Sequence, residues 1–232
     1  MGAQARRLLV IAPHPDDDVL GAGGVMARFA RAGGEVTVLT VAAHMPPLYP
    51  QSVHERTVAE ARRAHAVLGV ARSIFLDNPA VLLGKIPVPE FNAAIQRVVD
   101  EVRPQVLLIP FPDRHVDHRL VFEAAMVAAR PVRAGLEIGM LAAYETLSAT
   151  HWNAAHIEPT FVPTWSVDIT DVLRSKLDAL RCFESQIPAK EGPRSLAAVE
   201  ALALFRGSQS GFSYAEAFHI LRLTLAPDQL LV

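Results

Sequence analysis

The sequence predicts a doubly wound α/β fold: a mostly parallel sheet with helices on both faces. Two observations lead there. Short apolar runs alternate with helix-period segments, and the early runs are short stretches of apolar or β-branched residues, the kind buried on both faces of a parallel sheet. The polar clusters fall directly after such runs, where ligands bind in open α/β sheets. With 51% hydrophobic against 20% charged residues, the chain has the apolar content for a sizeable core, which excludes disorder, collagen and coiled coil.

Leu8–Ile11 reads as the first strand and Leu20–Arg31 as the helix behind it. Val36–Val41 and Val53–Leu68 repeat that pair, and Ser73–Leu76 is a third strand. Over Val88–Val102, residues Val88, Phe91, Ile95, Val98, Val99 and Val102 recur near 3.6 spacing, the mark of one buried helical face. Val106–Ile109 is a fourth strand and Val116–Ala129 its helix. Met140–Tyr144 and Thr160–Val167 read as later strands. Ile169–Glu184 reads as a helix capped by Thr170 or Asp171. Ser195–Phe218 reads as helical with a break at Gly207–Gly211, and residues Phe205–Gly211 have the composition of a lid. No repeat, low-complexity tract or linker interrupts the chain, so one domain over residues 1–232 is expected.

Lys and Arg number 22 against 24 Asp and Glu, a net charge of −2. No basic excess exists to hold a phosphate backbone, and a nucleic-acid partner is not expected. The apolar run Leu8–Ala12 is too short for a membrane span or a signal core. The one cysteine, Cys182, reads as a small buried side chain. A cytoplasmic location is the expectation. The charge balance neither supports nor forbids a homo-oligomer.

Two clusters carry chemistry. His14-Pro15-Asp16-Asp17-Asp18 follows the first strand. Crowded carboxylates raise one another's pKa, and a bound cation removes that penalty. Read otherwise, this is a solvated loop in which Asp16 or Asp17 caps the next helix. Asp113-Arg114-His115-Val116-Asp117-His118 follows the fourth strand. His115 and His118 share a face of a first helical turn, with Asp117 placed to orient an imidazole. Together the clusters offer two histidines and a carboxylate with an open position, the catalytic arrangement of zinc. Fe²⁺ accepts the same set.

Pro13-His14-Pro15-Asp16-Asp17-Asp18, then Leu20-Gly21-Ala22-Gly23-Gly24, and later His115-Val116-Asp117-His118, resemble the motifs of the PIG-L/LmbE-like zinc-dependent N-acetylglucosaminyl de-N-acetylases. The similarity runs over nearly the whole chain. Glu55-Arg56 to Leu68-Gly69-Val70 looks like the family's second helix, and Lys176–Gln186 and Tyr214–Phe218 like its C-terminal elements. Asp18 stands where the family has Glu, and Val116 where it has Pro. The resemblance implies a Rossmann-like fold and Zn²⁺ held by His14, Asp17 and His118. It also implies Asp16 as general base, His115 as an imidazolium donor, Asp117 holding His115, and Arg56 binding substrate.

The implied activity is hydrolysis of the N-acetyl group of an N-acetylglucosamine-containing conjugate, giving acetate and a free amine. Cleavage of a larger acyl group, and a metal- or sugar-binding module without catalysis, are the alternatives. Gly21, Gly23 and Gly24 do not complete a dinucleotide fingerprint, since residue 26 is Met26, and they read as close packing of helix on sheet. His44, His54 and His65 read as surface histidines. Tyr144–Ser148 and His151-Trp152-Asn153 read either as a wall of a sugar pocket, with Trp152 offering a flat apolar face, or as an ordinary loop.

Overall fold

The computed structural model describes residues 6–154, 156–187 and 192–224. Within them β1 (Arg7–Ala12), β2 (Glu35–Ala43), β3 (Arg72–Pro79), β4 (Val106–Pro110) and β5 (Met140–Tyr144) pair in parallel. β6 (Trp165–Asp168) and β7 (Ala215–Leu223) complete the sheet, with β7 antiparallel to both β5 and β6. The order is β3-β2-β1-β4-β5-β7-β6. The helices are α1 (Asp17–Arg31), α2 (Gln51–Leu68), α3 (Val88–Val102), α4 (Val116–Ala128), α5 (Leu173–Arg181) and α6 (Leu196–Ser208).

The two-residue period of a strand divides the core. Leu8 and Val10 of β1 pack with Val19, Met26, Ala61, Leu177 and Val199 on the face carrying α1, α2, α5 and α6. Leu9 and Ile11 pack with Ile95, Val99 and Val121 of α3 and α4 on the other. From β1 the chain winds outward to β2 and β3. It then crosses back to lay β4 on the other side of β1, with Leu8 beside Val106 and Val10 beside Leu108. The order therefore reverses between β1 and β4, and the loops leaving these two strands are neighbours beyond the carboxyl edge.

Helix α1 lies hard against the sheet. A Cβ at Gly21 would stand 2.1 Å from Tyr144 Cδ2, and one at Gly24 would stand 2.6 Å from Ile169 Cγ2. The glycines serve packing, as the sequence suggested.

Val88–Val102 and Met140–Tyr144 coincide with their sequence readings. The C-terminal third differs. Ile169–Glu184 is helical only from Leu173 to Arg181, because Asp168 Oδ1 accepts the Thr170 N–H (2.9 Å) and hydroxyl (2.6 Å) and holds the chain in a turn. The residue before α5 is Val172, so neither Thr170 nor Asp171 is its cap. Thr160–Val167 is strand only from Trp165. Ala215–Phe218 belongs to β7 rather than to a helix. These residues are buried on both faces, where periodicity does not separate strand from helix. Phe205–Ser208 is the last turn of α6, and Arg206 donates to both Glu145 oxygens (2.8 and 2.6 Å). The first half of the segment read as a lid is thus helical and anchored. Cys182 is half-buried. Among the described residues no helix is long and apolar enough to cross a membrane.

Candidate metal centre

β1 ends where Pro13 and Pro15 fix φ and withhold N–H donors. The Pro13 carbonyl accepts the Ala42 N–H (2.9 Å), pinning the loop to β2. Asp16 precedes α1, but its carboxylate makes no capping bond and stays available. Asp16, Asp17 and Asp18 sit at the positive end of α1, which favours their charge. Beyond β4, Asp113 Oδ1 accepts the His115 N–H (2.9 Å) and sets up the start of α4. His115 is the N-cap, its Nδ1 accepting the Asp117 N–H (3.2 Å).

Residues a hundred positions apart meet here. Asp17 Oδ2 lies 3.0 Å from His14 Nδ1 and 3.2 Å from His118 Nε2. His14 Nε2 is bonded to Asp117 Oδ2 (2.9 Å), which also accepts the Val81 N–H (2.7 Å). His118 Nδ1 is bonded to Asp113 Oδ2 (2.9 Å), which also accepts the Thr150 hydroxyl (2.9 Å). Each imidazole thus carries a carboxylate on its far nitrogen, the support that metal-ligating histidines characteristically have.

Two ligand sets compete. The ring nitrogens of His14, His115 and His118 come within 4.8 Å of one another. In the set of His14, Asp17 and His118 the carboxylate lies 3.0 and 3.2 Å from the two ring nitrogens, and tetrahedral zinc with bonds of ~2.0–2.1 Å separates its ligand atoms by about 3.3 Å. His118 Nε2 and Asp17 Oδ1 are buried without a hydrogen-bond partner, although His118 Nε2 is close to the carboxylate. Nitrogen and oxygen are near but misaligned for a hydrogen bond, as donors aimed at a shared cation are. In His115 the Nδ1 is already engaged. The carboxylate set adds an anionic ligand and these two unpartnered buried atoms to a pair of imidazoles.

Electrostatics agree. Burial pushes the His14 imidazole down, but its bonds to Asp117 and Asp17 outweigh that and raise it to about 9. Burial likewise opposes charge on His118, and Asp17 with Asp113 lifts it to about 10. The carboxylates hold positive charge in this spot. Burial and the neighbouring Asp17 charge raise Asp16 to about 6, moderated by Arg194. Burial and the charges of His14 and His118 lower His115 to about 4. Those influences disfavour the imidazolium form that the resemblance implies. With Nδ1 accepting, its proton is assigned to Nε2.

Other expectations change too. The Asp117 carboxylate holds His14, and only its backbone N–H reaches His115. Arg56 pairs with Glu60 (3.0 Å, i,i+4) and is 57% exposed. The cleft beside the centre is lined by His14, Asp16, His44, His115 and Arg194. His65 is buried, bonded to Asp18 Oδ2 (2.9 Å) and Ser73 Oγ (2.7 Å). His44 and His54 are half-buried. Trp152 is exposed and does not line that cleft. Its loop matters through Thr150 on Asp113 and Ser148, whose hydroxyl accepts from Arg194 Nε (3.2 Å).

Arg194 donates from Nη1 to Asp16 Oδ2 (3.0 Å) across 178 positions, and no local pattern signals it. Asp113 was visible as an acid in the second cluster.

Residues 9–129 match the family described as PIG-L, GlcNAc-PI de-N-acetylase. The chain belongs to the PIG-L family. The match spans both clusters, whereas Ser148, Thr150 and Arg194 lie beyond it. This PIG-L chain is 31% identical over 229 residues to a diacetylchitobiose deacetylase of Thermococcus kodakarensis, covering 91% of this chain and 81% of that one. It is 32% identical over 163 residues to a 1D-myo-inositol 2-acetamido-2-deoxy-alpha-D-glucopyranoside deacetylase 1 of Catenulispora acidiphila, covering 55% and 50%. The chain thus spans about half the length of that relative. Its fold is similar to that of GalB, a 4-carboxy-2-hydroxymuconate hydratase of Pseudomonas putida KT2440, with a TM-score of 0.75 at 20% identity over 95% of this chain and 97% of that one. At that identity the likeness shows the fold alone, and function rests on the site.

Proposed function

We propose that this chain hydrolyses the N-acetyl group of an N-acetylglucosamine-containing conjugate, with a divalent ion, zinc by preference, held by His14 Nδ1, Asp17 and His118 Nε2. One observation carries the reading. Asp17 Oδ2 lies 3.0 Å from His14 Nδ1 and 3.2 Å from His118 Nε2, with two buried atoms, His118 Nε2 and Asp17 Oδ1, unpartnered, beside the carboxylate of Asp16. The named activities of the relatives supply the substrate class. A cytoplasmic location suits a chain with a single cysteine.

When bound, the ion supplies Lewis acidity to the amide carbonyl and eases ionisation of the attacking water. The residues do the rest. Arg194 occupies Asp16 Oδ2 and leaves Oδ1 to take the proton of the water. Raised to about 6, Asp16 is ionised at pH 7 yet basic enough to accept. His115 donates a neutral Nε2–H to the developing oxyanion, with its tautomer set by the α4 amide. Asp16 then gives its proton to the leaving amine, so one water and one amide become acetate and a free amine. Asp117 and Asp113 orient the ligand imidazoles.

The test strips the protein of metal, reloads it with Zn²⁺ or Fe²⁺, and measures amine release from N-acetylglucosamine and its conjugates. Release that chelator abolishes and metal restores is expected. Undiminished release by fully metal-free protein, or none by metal-loaded protein from any conjugate, overturns the reading.

A further inference from the structure

We infer that the turn from Thr146 to Thr150 is a positioning element for the centre, setting the ligand His118 through Thr150 and the base Asp16 through Ser148. The inference deepens the deacetylase reading and rests on it. The turn leaves β5, whose Tyr144 pairs with Pro110 of β4, so it emerges beside the loop that carries Asp113. It lies beyond residues 9–129, which match the family. Thr146, Ser148 and Thr150 are all buried. Each hydroxyl bond at Thr150 has a fixed direction. Its Oγ1 accepts the Thr146 N–H (2.9 Å), and an amide only donates, so the hydroxyl proton goes to Asp113 Oδ2 (2.9 Å). Asp113 Oδ1 accepts the His115 N–H (2.9 Å). With donors on both oxygens, Asp113 is an acceptor toward His118 as well. His118 therefore donates from Nδ1 (2.9 Å), and its neutral form keeps the lone pair on Nε2, the atom 3.2 Å from Asp17 Oδ2. Thr150 holds the oxygen that orients this ring.

Ser148 acts on the other side of the site. Its hydroxyl accepts from Arg194 Nε (3.2 Å), while Arg194 Nη1 donates to Asp16 Oδ2 (3.0 Å). A planar guanidinium held at Nε as well as at Nη1 keeps one orientation against the carboxylate. The turn is stiff enough for both tasks. Ser148 has a φ of +70°, a left-handed conformation that is strained in a residue with a Cβ and persists only where the surroundings impose it. Here they do. The Ser148 carbonyl accepts the His151 and Trp152 N–H groups (3.1 and 3.0 Å), and the Thr150 N–H bonds to the Thr146 carbonyl (3.0 Å). Glu145, just before the turn, is bonded to Arg206 (2.8 and 2.6 Å) and to His151 (3.1 Å). Two hydroxyls two positions apart on one rigid turn thus reach a metal ligand and the base, each through one intermediary.

The experiment measures Zn²⁺ affinity by competition with a chelator, and kcat and KM for amine release from N,N'-diacetylchitobiose, in wild type, Thr150→Val, Thr150→Ser and Ser148→Ala. Thr150→Val keeps the shape and loses the hydroxyl, and it should bind Zn²⁺ about tenfold more weakly. Thr150→Ser restores the hydroxyl, and Ser148→Ala alters the same turn without touching Asp113, so both should keep the wild-type affinity. Ser148→Ala should instead lower kcat about tenfold with KM unchanged. If Thr150→Val does not fold, Thr150→Ala carries the same expectation. Wild-type affinity in Thr150→Val, an equal loss in Thr150→Ser or Ser148→Ala, or a wild-type kcat in Ser148→Ala overturns the inference. Should metal-loaded wild type release no amine, the deacetylase reading fails and the affinities alone decide the turn. Weakened binding by Thr150→Val, with the other two variants at wild-type strength, then sustains it, and any other pattern overturns it.

Discussion

Asp16 and Asp117 are both buried carboxylates at the centre, yet their partners give them different work. Asp117 reaches the reaction only through His14, so Asp117→Asn is expected to weaken metal affinity by about 10–100-fold, read by competition with a chelator. Asp16 contacts no ligand imidazole. Asp16→Asn should lower kcat by on the order of 10²–10⁴ with metal content unchanged, read by metal analysis of the same sample. Loss of metal from that variant would make Asp16 a ligand. The histidines set a pH dependence. His14 at about 9 and His118 at about 10 stand above their ordinary value of 6.5. In metal-free protein their contribution is fully present below pH 6.5 and is lost as pH rises through 9 and 10. Its Tm should fall across that window, and that of metal-loaded protein should fall less, because the ion takes the place of the two protons. Parallel Tm curves would contradict the assignment.

At the scale of elements, α1 carries Asp17 and Asp18 in its first turn, Gly21 against Tyr144 of the sheet and Gly24 against Ile169 just after β6. Alanine inside a helix ordinarily gains about 1 kcal/mol over glycine. At Gly24 a Cβ would stand 2.6 Å from Ile169 Cγ2, and overpacking of that kind costs about 1–3 kcal/mol. Gly24→Ala should therefore lower Tm, and metal affinity should fall with it as α1 shifts and takes Asp17 along. A more stable variant would mean the helix has room to move. Val88–Val102 was legible because its stripe has helical period and one solvated face. Ala215–Phe218 was not, because burial on both faces removes the alternation.

Across the whole molecule a buried ion pair ties the last strand to the first helix. Glu216 on β7 accepts the Gly24 and Val25 N–H groups (2.7 and 2.8 Å), and Lys176 of α5 donates to Glu216 (2.6 Å) and to the Leu20 carbonyl (2.8 Å). An unbroken helical ladder would pair the Gly24 amide with that Leu20 carbonyl, so side chains serve both halves of one helical bond. Removing one partner strands a buried charge. Glu216→Leu should cost about 3–5 kcal/mol in chemical denaturation, and adding Lys176→Met should recover part of it. Additive losses would show that the two residues act independently.

The sequence by itself determined the class of fold, the two clusters and the chemistry they suit, because periodicity, punctuation by proline and the pairing of histidine with carboxylate are local properties. Only the tertiary structure decided which carboxylate faces which imidazole, that burial and its neighbours lower the His115 pKa, and that Arg194 reaches Asp16. Those facts follow from placing β4 beside β1 and from the low polarity of the interior between them. Neighbours through space there set charge and proton position, and separation along the chain carries no record of such neighbours.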